Sequence, residues 1–180
     1  SQRGTLQILL GVIDTPFFQR RDALTLDLNI NNMMVVGSQN TGRSTLLQTL
    51  IMSAASTHDS NQIQFYCLDF STGKLGVLDE LAHVGSVASK NDLEKVSRTI
   101  AEMTAIWNRR ERLFREKNVL GMPDFRRRKA QGDPSLKSDK HASDVVLVID
   151  GWTTITRDDV GLEHLEEKVN VLAAKGKGFG

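Results

Sequence analysis

The segment Met33-Met34-Val35-Val36-Gly37-Ser38-Gln39-Asn40-Thr41-Gly42-Arg43-Ser44-Thr45 limits this chain to few folds. An apolar, strand-like run leads into a glycine-bounded turn, and a helix-like run, Thr45 to Met52, leaves it. Strand, turn and helix in that order put open backbone N–H groups at a helix N-terminus, where a phosphate binds. The pattern G-x-x-x-x-G-K-[ST] is met at every fixed position except the lysine, which is Arg43. Gly37 and Gly42 permit the tight turn and close approach of a ligand to the backbone. Ser44 offers a hydroxyl to Mg2+, with Thr45 behind it. The candidate nucleotide-binding residues are therefore Gly37, Ser38, Gln39, Asn40, Thr41, Gly42, Arg43, Ser44 and Thr45, and the candidate ligand is ATP or ADP with Mg2+.

Arg43 alters the chemistry. A lysine reaches over such a loop as a compact point charge, whereas arginine is planar and forked and does not fill the same slot without moving. It still holds a phosphate bidentately. The second half of the site is an acid after an apolar strand, and Val145-Val146-Leu147-Val148-Ile149-Asp150 supplies it about a hundred residues later. Asp150 is the candidate that orients Mg2+ with Ser44, and no other catalytic residue is assigned. In hydrolases of this kind a second carboxylate follows at once and prepares the attacking water. Here Gly151 and Trp152 follow, and Asp158 and Asp159 fall one or two helical turns away, beyond expected reach. Two defects at two catalytic positions point to nucleotide binding without efficient hydrolysis.

The rest of the chain alternates strand and helix. Gln7 to Ile13 and Ala23 to Ile30 read as strands, the second with Leu24, Leu26, Leu28 and Ile30 alternating with polar residues. Met33 to Val36 reads as a strand covered on both faces. Ile63 to Phe70 and Val145 to Ile149 are further strands. Asn91 to Lys117 is helical, started by Asp92, with Leu93, Val96, Ile100, Met103, Trp107 and Phe114 on one core-packing stripe. Gly132 to Ser143 reads as a polar surface loop, and Leu162, Leu165, Val169 and Leu172 mark a last helix. This alternation predicts an α/β fold with a largely parallel sheet. The 180 residues suffice for one domain, taken as 1–180. A net charge of +1 argues against a chain built to coat nucleic acid. A single cysteine, Cys67, forms no disulfide within the chain and reads as a core thiol. No apolar run approaches the roughly 20 residues of a membrane span.

With the loop, Phe65-Tyr66-Cys67-Leu68-Asp69-Phe70, Leu81-Ala82-His83-Val84-Gly85-Ser86-Val87-Ala88 and Arg109-Arg110-Glu111-Arg112-Leu113-Phe114, the chain resembles the FtsK/SpoIIIE-type P-loop ATPases. Asp150-Gly151-Trp152 and Leu172-Ala173-Ala174-Lys175-Gly176 resemble the EccC ATPases of type VII (ESX) secretion. The resemblance runs from about Gly11 onward. It implies a RecA-like three-layer sandwich, with at least one more strand and a polar sensor beyond Gly180. It implies a multi-domain parent with three tandem ATPase modules, of which Arg43 and Gly151 place this one among the degenerate, distal modules. It also implies a hexameric assembly, a cytoplasmic location at the inner face of the membrane through a parent or partner chain, and small helical WXG-class secreted substrates.

Two rival functions stay open. One is an active ATP-driven motor for DNA or protein, with a base supplied from outside the chain. The other is a docking domain with an empty loop. The basic run Arg126-Arg127-Arg128-Lys129 reads as a solvated helix end, and DNA is not the expected partner. His58, His83, His141 and His164 lack metal-ligand spacing. Trp107 reads as core, and Trp152, at a strand's C-terminal end, is a candidate contact for nucleotide or a neighbouring module.

Overall fold

A computed structural model describes residues 6–29, 32–38, 40–155 and 164–180, with the backbone alone at 154 and 155. Its strands are β1 (Gln7–Thr15), β2 (Arg20–Asp27), β3 (Ile63–Asp69), β4 (Val84–Ser89) and β5 (Asp144–Asp150). Its helices are α1 (Arg43–Thr57), α2 (Leu93–Glu116), α3 (Met122–Ala130), α4 (Trp152–Ile155) and α5 (Leu165–Lys175).

β3 lies between β4 and β5 and runs parallel to both. A strand so placed is covered on both faces, and its side chains sort by the period of two. Phe65 and Cys67 face one layer, with Val87 and Val148 from the neighbouring strands and Leu50, Ile51 and Ala54 from α1. Leu75 and Leu78, from a 3-10 turn over Lys74–Leu78, close that layer beside Ile8 of β1. Leu68 faces the other way, with Ala88, and meets Val96 and Ile100 of α2 and Leu165 and Val169 of α5. The result is the three-layer α/β sandwich with a parallel sheet that the sequence predicts. Cys67 is fully buried, and its burial first, then the charges of Asp69 and Asp79, push the thiol up to about 12. It is packing, not reagent. Asp92 accepts the Lys95 N–H at 2.8 Å and starts α2 where expected.

Several sequence readings need correction. β1 and β2 form an antiparallel hairpin, in register from Gln7 opposite Asp27 to Thr15 opposite Arg20. Cross-strand pairing carries both strands to a tight turn at Pro16–Phe18, so β2 starts before Ala23. It stops at Asp27, whose carboxylate takes the Asn29 N–H at 2.8 Å and turns the chain away. Leu28 therefore packs from a turn, and Ile30 lies outside the described residues. Met33 to Val36 is extended but pairs with no strand among the described residues. Met34 and Val36 are 80% and 81% exposed, not covered.

Trp107 is half-buried, under the Lys175 ammonium at 5.8 Å, and the centre of the α2 stripe shifts to Ile106 and Arg110. The segment from Gly132 to Ser143 is not all surface: Leu136, Ala142 and Ser143 are buried. Leu165 and Val169 mark α5 as expected, while Leu162 lies outside the described residues.

The basic run is solvated only in part: Arg127 is exposed, whereas Arg126, Arg128 and Lys129 are part-buried, and all four are paired. Arg126 pairs with Asp144 at 2.5 Å, Arg127 with Asp124 at 2.5 Å, Arg128 with Asp133 at 2.7 Å and Lys129 with Asp139 at 3.7 Å. Hydrogen bonds from Ser135 and then Arg128 bring Asp133 down to about 2. Beneath these pairs Arg110 is 1% exposed. Its Nε donates to Asp139 Oδ2 at 2.7 Å and its Nη1 to the carbonyls of Ser143 (3.0 Å), Phe179 (2.9 Å) and Gly180 (3.1 Å). Nη2 donates to Ala142 O, and the guanidinium lies 5.0 Å over the Phe125 ring. Removing it takes the nearer cation from Asp139, which keeps Lys129 and the His141 N–H, and the donors from four carbonyls. Arg110→Met is expected to cost about 3–5 kcal/mol in urea unfolding, against less than about 1 kcal/mol for Arg127→Met on the exposed side of α3. Equal losses would show that Arg110 is not the clamp.

Candidate functional site

The C-terminal ends of the parallel strands and the N-terminus of α1 meet at one edge of the sheet. That is where open α/β sheets bind ligands. Asp69 and Asp150 end β3 and β5 in register with each other, and both are buried. Their partners differ. The Asp69 carboxylate accepts three backbone N–H groups, from Ser71 (3.0 Å), Gly73 (3.1 Å) and Leu75 (3.0 Å). It is used up in shaping the loop that follows. Asp150 accepts one hydrogen bond at Oδ2, from the Ser44 hydroxyl at 2.5 Å. The structure thus joins the two metal-site candidates across 106 residues of chain.

The turn before α1 has the backbone of an anion nest. Asn40 and Gly42 are both left-handed, with φ of 60° and 90°. Thr41 Oγ1 donates to Ser38 O at 2.8 Å and closes the turn. No side chain caps α1 and its first turn holds no acid, so its first N–H groups stand open to an anion. Gly37 gives the space: a Cβ there would sit 2.5 Å from Thr41 Oγ1 and 3.5 Å from Arg43 Cγ. The Arg43 stem lies across Gly37, and its guanidinium makes no hydrogen bond or ion pair with the described residues. Thr45 is exposed and gives only its carbonyl, to the Thr49 hydroxyl. Gln39, Asp158 and Asp159 lie outside the described residues.

These residues fit a magnesium-bound nucleotide. Uncapped N–H groups and an unpaired guanidinium face phosphate charge, and a Ser–Asp pair offers oxygen ligands to a hard cation. The hydroxyl of Ser44 occupies Oδ2 of Asp150, and Oδ1 accepts nothing from the described residues. Bound Mg2+ would neutralise charge developing on the transferring phosphoryl group.

Among the described residues no carboxylate follows Asp150 to serve as a base. Gly151 stands where a second carboxylate would follow Asp150, with φ of 84°. A Cβ at Gly151 would lie 3.0 Å from Phe70 C and 3.1 Å from Ser71 N. Both the left-handed backbone and the close passage of β3's exit loop select glycine. Trp152 does not turn to the ligand edge. It packs against the cluster of Leu68, Phe70, Val96 and Leu165, on the face opposite α1. The sequence reading passed over Asp69 as a strand end. An acid closing an apolar strand ahead of Ser-Thr-Gly was the available signal, the same as at Asp150. Among the described residues no cluster of His, Cys, Asp or Glu forms a further metal centre, and no helix is long and apolar enough to cross a membrane.

Comparison with known proteins agrees with this geometry. The model of the FtsK/SpoIIIE family matches residues 3–176. The ESX secretion system protein EccC of Thermomonospora curvata is 43% identical over 99% of the chain, which spans 13% of that relative. The ESX-4 secretion system protein EccC4 of Mycobacterium tuberculosis is 40% identical over 99% of the chain, which spans 14% of it. A solved structure of Thermomonospora curvata EccC, ATPases 2 and 3 in complex with a signal sequence peptide, superposes on the whole chain with a TM-score of 0.90 and 43% identity. The chain covers 32% of that structure. P-loop, strand-end aspartate and sheet order all fall within the matched span, and the chain belongs to the FtsK/SpoIIIE family, with EccC ATPases of type VII secretion among its relatives.

Proposed function

We propose that this chain is a nucleotide-binding module of a type VII secretion ATPase that holds MgATP or MgADP with weak or no hydrolysis. The observation that carries this is the contrast at the end of β5. Asp150 is engaged with Ser44 as a metal pair, while the next position has a backbone that rejects a carboxylate. Asp69, the neighbouring acid, is committed to three N–H groups of the loop that follows it. Gly37 to Thr45 bind the phosphates, Ser44 and Asp150 hold the metal, and Arg43 adds charge without the point contact of a lysine.

In this reading nucleotide is a structural ligand. It stabilises the module by mass action, about 2.7 kcal/mol at a hundredfold excess over Kd. The module, taken as residues 1–180 of a longer chain, regulates assembly or docks substrate, and an intact module elsewhere performs the work. Its partners are other ATPase modules of the same machine, in a hexameric ring, and small helical WXG-class substrates. The signal sequence peptide bound by the related EccC fragment supports a docking role. The place of action is the cytoplasmic side of the membrane, reached through the parent or a partner chain.

Calorimetric titration with MgATP tests the pocket. Micromolar or tighter binding is expected, with loss in Gly42→Asp, where a side chain and a negative charge enter a left-handed turn at the helix N-terminus. Absence of heat at millimolar nucleotide, in a folded sample, would leave a docking module on an inherited fold. Phosphate release tests the second half. Arg43→Lys with Gly151→Glu is expected to restore no turnover, because Gly151→Glu strains the β5 exit and costs more than about 1 kcal/mol in unfolding. Turnover in that double variant at undiminished stability would overturn the assignment of a base-less site.

A further inference from the structure

The loop after β3 carries a lysine that the site as described does not use. The course of this loop is pinned at several points. Phe70 N–H donates to Asp150 O at 2.9 Å as the chain leaves the sheet. The Asp69 carboxylate then gathers the N–H groups of Ser71, Gly73 and Leu75. Finally Gln48 Nε2, from α1, donates to Lys74 O at 2.6 Å. Gln48 and Ser44 share one face of α1, a turn or about 6 Å apart. With the Ser44–Asp150 bond these contacts close a circuit: Asp150, Phe70, Lys74, Gln48, Ser44 and back to Asp150. The loop therefore borders the Ser44–Asp150 pair, tied to Asp150 at one end and to α1, one turn beyond Ser44, at the other.

Lys74 sits on that loop with its side chain exposed, and its ammonium makes no hydrogen bond or ion pair with the described residues. Asp69, five residues before it, forms no ion pair with it and is instead bound by the N–H groups of its own loop. Two cations without a partner among the described residues thus border this edge. Arg43 lies across Gly37, over the turn that takes the inner phosphates. Lys74 is held through its carbonyl by Gln48, one turn of α1 beyond Ser44. An ammonium on a four-carbon stem is the compact, adjustable charge that Arg43 no longer provides.

We propose that Lys74 contacts the terminal phosphate of a bound nucleoside triphosphate, so that it sets the preference of this site for triphosphate over diphosphate. The proposal rests on the nucleotide-binding reading and adds a specificity residue to it. Its test is titration of the whole chain with MgATP and separately with MgADP. Lys74→Met is expected to weaken MgATP about tenfold and leave MgADP unchanged. Lys74→Arg, which keeps the charge, is expected to retain most of the triphosphate preference, and Arg43→Met to weaken both nucleotides. A merely structural role for Lys74 would not split the two ligands. Equal affinities of wild type and Lys74→Met for MgATP, or equal weakening of both nucleotides, would overturn the proposal while leaving the pocket intact. Wild-type chain that binds neither nucleotide would instead overturn the nucleotide reading itself. Lys74→Gln asks the same question should circular dichroism show the methionine variant unfolded.

Discussion

The molecule is organised by a strand with no exposed face. Ile63, Phe65, Cys67 and Leu68 of β3 are all at 0% exposure, so both sheet faces must be covered and both edges of β3 paired. Parallel pairing with β4 and β5 follows, because each crossover passes through covering structure. Parallel pairing in turn brings the C-terminal ends of the strands together. In the β3 register, Asp69 stands beside Ser89 on one side and Asp150 on the other. The turn into α1 arrives at the same edge, and α1 runs back over the face of Phe65 and Cys67. The site is thus a by-product of how β3 is buried, with no separate scaffold of its own.

Two buried carboxylates on adjacent strands, about 4.8 Å apart in the pairing direction, would be costly if either lacked partners. The structure assigns them different partners. Three N–H groups fold around Asp69 and convert its charge into a fixed loop. One hydroxyl touches Asp150 and leaves the other oxygen open. The same residue type at the same strand position becomes architecture in one case and ligand in the other. What separates them is the sequence that follows. Ser-Thr-Gly-Lys supplies a turn that curls back on its own aspartate, whereas Gly151 leads straight into α4.

The site was legible because it is encoded locally. A phosphate loop is thirteen contiguous residues, and the apolar strand with its terminal aspartate is six more. Both were read with their residues in the right order, and the Ser44–Asp150 contact joins them. The parallel sheet was legible for the same reason, since period-two apolar runs alternate with helical ones. The end of β2 was missed at a local turn, where Asp27 takes the Asn29 N–H, and the other failures were long-range. Nothing near Met33 to Val36 reveals that it pairs with no strand among the described residues, so a run of four apolar residues passed for a covered strand. The basic run passed for a solvated helix end because its partners Asp139 and Asp144 lie beyond a loop of ordinary polarity. Arg110, the most enclosed charge among the described residues, carries no sign of burial within an arginine-rich helix. Its carbonyl partners come from residues 142 to 180, and backbone acceptors leave no mark in a sequence.

The two departures from a complete hydrolase site are of unequal depth. Arg43 is a side-chain departure. Its backbone begins α1 in ordinary geometry, and a lysine there would meet the same Gly37 surface. Gly151 is a backbone departure. Its left-handed φ and the 3.0 Å passage of Phe70 belong to the same crossing that lets Phe70 N–H bond Asp150 O. A residue with a Cβ at this position must push on that crossing. It would thereby move the loop whose other end is tied to Gln48 and whose middle is tied to Asp69. Exclusion of a carboxylate at position 151 is therefore built into the exit geometry of two neighbouring strands. Loss of the lysine leaves charge at the phosphates, whereas exclusion of that carboxylate is locked in by packing. That asymmetry is what a module retained for binding, and released from turnover, would carry.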